Sequence, residues 1–160
     1  MIRRKQLTED EAIARLETLC ARSERSTFEA LQKLRQWGIS DSASRKIVQL
    51  LTEERFIDDA RFARSYVNDK LRFSGWGRIK IKLNLRAKRI ADDIVADALA
   101  AVDEEEYVEV LERIIGSKAS RMTDLDTYEG RTRLYRWGLS RGFESPLVAV
   151  AVKKAAQMKS

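Results

Sequence analysis

Histidine is absent from this 160-residue chain, cysteine and proline occur once each, and glycine seven times. Each shortage excludes something. Without histidine there is no Ser-His-Asp or Cys-His nucleophilic machinery, and the common zinc sites lose a standard ligand. The single cysteine, Cys20, allows no intrachain disulfide and fits a reducing cytoplasm. Its neighbours Ala12, Leu16 and Leu19 fall at helical spacing and mark it as a core residue. There is no glycine-rich phosphate loop leading into Lys-Ser/Thr and no Gly-x-Gly-x-x-Gly. Scarce proline and glycine argue against a disordered chain. No apolar run approaches the ~18–20 residues of a membrane span. The start, Met1-Ile2-Arg3-Arg4-Lys5-Gln6, lacks the apolar stretch of a signal peptide. The expectation is a cytoplasmic, non-enzymatic, monomeric protein with no membrane segment, no metal and no cofactor.

What is present favours helix. Apolar residues make up 44% and charged residues 35% of the chain, with Ala, Leu, Arg, Lys and Glu dominant. Self-comparison then finds a repeat. Residues 27–40 and 127–140 share Thr, Phe/Tyr, Glu, Leu, Trp-Gly, Ile/Leu and Ser in register. Between them, Leu85 matches Leu34 and Leu134, and Ile90 matches Ile39 and Leu139, at offsets of 51 and 49 residues. Each unit holds three predicted helices. Thr8 with Glu11 and Ser26 with Glu29 read as capping boxes, Asp58 and Asp103 as N-caps, and Gly38 as a helix C-terminal glycine. Ser145-Pro146 reads as a cap followed by proline at the first helical position. The stretch 117–126 is read as an extra loop.

Residues 79–86 alternate apolar and polar, a strand signal. Their repeat partners do not alternate, and an isolated strand has nothing to pair with. The segment is therefore predicted helical, with Ile79, Leu83 and Ile90 on one face and Arg78, Lys82, Arg86 and Arg89 on another. The resulting fold class is all-α: three tandem three-helix, helix-turn-helix-like repeats in an elongated, slightly curved array. The units are a basic arm at 1–7, a first repeat at 8–58, a basic second repeat at 59–102 and a third at 103–160.

Charge is uneven. The arm carries +3, the first repeat −2, the second +5 and the third none net. From Lys70 to Arg89 eight basic residues occur with no acid, and Phe73 and Trp76 lie among them. Such a stripe suits a phosphate backbone, and aromatics beside it suit splayed bases. The candidate contacts are Arg72, Trp76, Arg78, Lys80, Lys82, Arg86, Lys88 and Arg89. Trp76, between two glycines, fits stacking on a base and covering a helix junction equally well. Arg131, Arg133, Arg136 and Arg141, with Tyr135, form a weaker patch. Trp37 and Trp137 read as core.

Phe56-Ile57-Asp58-Asp59-Ala60-Arg61-Phe62-Ala63 resembles the Gly-Tyr-Ile-Asp-Asp-x-x-Phe-Ala signature of the RecX family. A basic stretch with a glycine break (residues 75–79) and a Leu-Arg-x-Lys-x-Ile element (residues 85–90) follow, as in that family. The resemblance covers roughly residues 8–156. It implies a regulator that binds the RecA–DNA filament and mainly inhibits RecA ATPase, filament growth and strand exchange. Its implied partners are RecA and single-stranded DNA, with double-stranded DNA a further candidate. Asp58, Asp59, Phe62 and Ala63 are then structural signature residues. Arg55 and Arg89 stand where the family has glycine, so a different turn geometry is expected at both. One rival is a sequence-specific DNA binder, disfavoured because Asn84 is the only base reader in the basic helix. Another is a metal-dependent nuclease using Asp58, Asp59 and Asp69, disfavoured because helix capping accounts for the first two.

Overall fold

A computed structural model describes residues 6–159. Arg3, Arg4 and Lys5 of the expected basic arm lie outside the described residues. Within them the chain is all-helical, with no strand. The helices are α1 (Glu9–Arg22), α2 (Thr27–Gln36), α3 (Asp41–Glu53), α4 (Asp59–Arg72), α5 (Arg78–Ala87), α6 (Asp92–Ala100), α7 (Glu104–Ala119), α8 (Tyr128–Ser140) and α9 (Ser145–Lys159).

Short polar side chains start most of them, by accepting from backbone N–H groups that have no partner inside the helix. Thr8 and Glu11 form the full reciprocal box on α1. Ser26, Ser40, Asp58, Asp103 and Thr127 cap α2, α3, α4, α7 and α8. α9 begins one residue earlier than the Ser-Pro motif suggests, so Pro146 occupies its second position, where a missing N–H still costs no helical bond.

Two helix ends use arginine in the left-handed region. Arg55 has φ 65° and Arg89 φ 62°. The expected change of turn geometry does not occur. The turns close as at glycine, with Phe56 N donating to Leu51 O at 2.8 Å and Ile90 N to Leu85 O at 3.2 Å. Buried Ile57 and Ile90 anchor them, and this burial offsets the roughly 1–2 kcal/mol that an L-residue loses there.

The repeat register holds at its centre and slips at one end. Leu34, Leu85 and Leu134 are all fully buried. After Leu134, however, α8 continues one turn further than α2 or α5. Gly138 therefore sits inside the helix, packed so close to Val148 and Ile115 that a Cβ would collide with Val148. The positive-φ glycine that ends the turn is Gly142, and Phe143 fills the place of Ile39 and Ile90. Leu139, matched to them by sequence, is 37% exposed. The proposed extra loop at 117–126 is also shorter than expected, because α7 runs on through Ala119.

The core falls into two clusters rather than three. Leu16, Leu34, Ile47, Leu51 and Ile57 belong to the first, formed by α1–α3 and the turn after them. The second runs without a break through α4–α9 and includes Val67, Leu71, Ile81, Leu85, Tyr107, Leu111, Ile115, Leu134, Phe143 and Val148. The extensively packed helix pairs lie within one set or the other among the described residues. Cys20 packs half-buried on the first cluster, and burial raises its thiol pKa.

Candidate nucleic-acid interface

The alternating segment is helical, as α5, but its faces differ from those expected. Ile81 and Leu85, four residues apart, point into the core, and Ile90 follows them. Ile79 and Leu83, also four apart, point outward at 50% and 62% exposure. Two i,i+4 pairs on opposite faces of one helix generate the same alternation as a strand. Lys82 and Arg86 share the outer face with Ile79 and Leu83 by the same spacing. This face is a mixed apolar and basic surface, bordered by α6 where Arg86 meets Asp92.

The neighbouring chain fixes how α5 is held. Gly77 N donates to Arg141 O at 2.8 Å, Arg78 N to Tyr107 Oη at 3.0 Å and Ile79 N to Gly142 O at 3.0 Å. The helix has no side-chain cap of its own, so the third repeat supplies it. The backbones meet so closely that a Cβ on Gly77 would run into Gly142. Arg78 is drawn into this joint. Its guanidinium pairs with Glu144 at 2.6 Å and with Glu104, and lies 3.7 Å from the Tyr107 ring centroid. Tyr107 Oη donates to Glu144. Burial, then this hydrogen bond, pushes the Tyr107 phenol well above its ordinary range.

The other candidates separate into paired and unpaired groups. Arg72 pairs with Glu106 at 2.6 Å, Arg86 with Asp92 at 3.0 Å and Lys88 with Glu29 at 3.8 Å. The Arg86 hydrogen bond and charge hold the Asp92 carboxyl below its ordinary range. Lys80 lies over the Trp76 ring at 4.5 Å and Lys70 over the same ring at 4.7 Å. Trp76 itself is half-buried and packs on the α4–α9 core, so it covers the junction. Arg89 sits 5.8 Å from the Phe28 ring. Lys82 is exposed and has no hydrogen bond or ion pair among the described residues. Asn84, the one base reader on α5, spends its amide on Lys80 O at 2.9 Å.

The signature residues are structural in position. Asp58 caps α4 through Arg61 N, and Phe62 and Ala63 are buried in the core. Asp59 does more than sequence suggested: it accepts from Thr27 N of α2 at 2.7 Å and so ties the first repeat to the second. Among the described residues no three His, Cys, Asp or Glu side chains converge as a metal site, and no helix is long and apolar enough to cross a membrane.

The model of the RecX second three-helix domain matches residues 58–99. The Regulatory protein RecX of Lactobacillus johnsonii is 32% identical over 80% of this chain and 47% of its own length. That of Clostridium botulinum strain Alaska E43 is 32% identical over 77% of this chain and 58% of its own. The crystal structure of RecX from Lactobacillus salivarius superposes with a TM-score of 0.82 at 25% identity, covering 93% of this chain and 97% of that one. The chain belongs to the RecX family. It spans about half the length of the curated RecX relatives it matches. Those relatives are named regulatory proteins. In RecX terms, the matched second domain is the part that carries α4, α5 and α6, and with them the mixed face of α5.

Proposed function

We propose that this chain is a non-catalytic regulator of RecA that docks on the RecA–DNA filament and restrains ATP hydrolysis, filament growth and strand exchange. The observation that carries this reading is the outer face of α5. Ile79 and Leu83 contribute nothing to the chain's own core, yet they stand beside Lys82 and Arg86. Apolar side chains left outside a core suit a protein surface, and the adjoining cations suit phosphate or carboxylate. A protein–DNA assembly offers both. Lys80, Lys88 and Arg89 extend the positive surface, while Arg72 and Trp76 border it. Arg78 supports the surface from within, through its pairs with Glu144 and Glu104. Regulation by docking requires no bond-making chemistry, and the absence of histidine is compatible with that.

The test is RecA ATPase on single-stranded DNA, titrated with the chain at substoichiometric ratios. Inhibition below one chain per protomer supports the reading, because a docked regulator acts on a filament rather than on single subunits. Lys82→Glu with Arg86→Glu should relieve it while far-ultraviolet circular dichroism stays unchanged. Full inhibition by the folded double variant would reject the α5 assignment.

A further inference from the structure

A second surface lies along α7, beginning at Arg72 and Phe73 at the end of α4. Three depressions run in succession along α7. One is lined by Arg72, Phe73, Ser74, Gly75, Arg113, Ile114 and Ser117. The next shares Ile114 and Ser117 and adds Lys118, Arg121, Trp137 and Arg141. The third shares Lys118 and Trp137 and adds Met122, Arg133 and Leu134. Shared walls make them one continuous groove. Six cations line it and no acid does. The two acids nearest in bonding, Glu106 and Asp124, sit at its ends in pairs with Arg72 and Arg133. Arg141 is fixed by hydrogen bonds to Ser74 O and Gly75 O. Arg121 is exposed, and its side chain has no hydrogen bond or ion pair among the described residues.

Aromatic groups stand within this positive field. Phe73, at the end of α4, is 85% exposed and supports no core. Trp137 is half-buried and flanked by Lys118 at 5.7 Å and Arg141 at 6.0 Å from its ring centroid. The α7 wall from Arg113 to Lys118 is about 7.5 Å long at the helical rise, and Arg121 follows in the turn after it. A cationic row of depressions with an exposed ring at one end and a flanked ring further along has the two elements that hold a single strand: charge for the backbone and flat faces for bases. A duplex keeps its bases stacked inside and has nothing to offer Phe73.

We propose that the α7–α8 groove binds a few nucleotides of single-stranded nucleic acid, with Arg113, Lys118 and Arg121 on phosphates and Phe73 stacking on a base. This deepens the reading of the chain as a ligand of a protein–DNA filament and rests on it for its setting. It assigns the strand to α7–α8 and leaves the mixed face of α5 for protein.

The experiment measures binding of fluorescein-labelled oligothymidylate to the full chain by anisotropy, without RecA, over a salt series. Phe73→Ala should weaken binding roughly 5- to 150-fold, the range of a lost base stack. Arg113→Glu with Arg121→Glu should weaken it further and reduce the log–log salt slope by about 1.4, at roughly 0.7 per phosphate contact. Both positions are exposed, so circular dichroism should not change. Arg45→Glu with Lys46→Glu, the same charge change at exposed positions on α3, should bind oligothymidylate within a fewfold of the parent chain. The groove is rejected if Phe73→Ala and the Arg113/Arg121 variant bind as the parent does. It is rejected equally if polyglutamate displaces the oligonucleotide as well as unlabelled oligothymidylate of equal charge, since that is the signature of an acidic protein ligand. RecA inhibition by Lys82→Glu with Arg86→Glu reads the α5 face separately, so one assignment can fail while the other stands.

Discussion

The two joints between the three repeats are made of different materials. Between α4–α6 and α7–α9 the joint is a continuous apolar core, sealed by backbone-to-backbone bonds at Gly77 and Gly142 and by buried Tyr107 with its partly buried partners Glu144 and Arg78. Between α1–α3 and α4–α6 it is polar. Arg61 bridges to Glu24 at 2.6 Å and to Arg55 O and Phe56 O, Asp59 holds Thr27 N, Lys88 reaches Glu29, and Arg89 lies over Phe28. Tandem repeats of one design thus need not form equal interfaces. An apolar joint is strong and insensitive to salt, whereas exposed ion pairs are each worth roughly 0.2–1 kcal/mol and are screened. The chain is accordingly a six-helix body with a three-helix unit tethered to it by charge.

The largest expected effect breaks the apolar joint. Ile81→Ala removes a fully buried side chain and should cost about 2–5 kcal/mol. Because α4–α9 share one core, amide hydrogen exchange should accelerate in α7–α9 as well as in α4–α6, and stay unchanged in α1–α3. Leu34→Ala should do the opposite. Acceleration confined to α4–α6 would show that the second and third repeats fold separately.

A smaller effect belongs to the polar centre of that joint. Tyr107→Phe leaves Glu144 Oε1 and Arg78 N without their partner while Glu144 Oε2 keeps the Arg78 guanidinium, a loss of about 1–3 kcal/mol in a partly buried setting. The sign with pH follows from the raised phenol. The folded state favours the protonated ring, so its contribution is complete below the unfolded tyrosine range near about 10 and declines as pH rises beyond it. The parent chain should lose thermal stability above about pH 10 more steeply than Tyr107→Phe does. Parallel curves would remove Tyr107 from the account.

The smallest effect concerns the polar joint. Spin labels at Ala21 and Ala96, in a Cys20→Ser background, span it, whereas labels at Ala96 and Val150 lie within the six-helix body. Arg61→Met or about 1 M salt should broaden the first distance distribution and leave the second narrow. Equal widths for both pairs would mean that charge does not govern the first joint.

Local chemistry made much of this fold legible in advance. A cap is a short-range event, so Thr8, Ser26, Asp58 and Asp103 announced their helices, and the recurrence of Leu34, Leu85 and Leu134 located the centre of each repeat. What escaped was set at long range. Trp-Gly ends α2 but only looks as if it ends α8, because whether a glycine caps or packs depends on what lies across from it; at Gly138 that is Val148. The faces of α5 were misread because alternation cannot tell which i,i+4 pair meets the core. Arg78 looked available because Glu144, its partner, is 66 residues away. The α7 cations were hidden by composition: Arg113, Lys118 and Arg121 share a helix and its end with a strongly acidic first turn, so the third repeat reads as neutral.

The most direct test of the account places a benzophenone photocrosslinker at Leu83 on the outer face of α5, and separately at Met158, more open still but at the end of α9. Illumination with RecA assembled on single-stranded DNA should join position 83 to RecA in a filament-dependent way and leave position 158 largely unreacted. Crosslinking from 158 with none from 83 would contradict the claim that α5 is the face this chain turns to the filament.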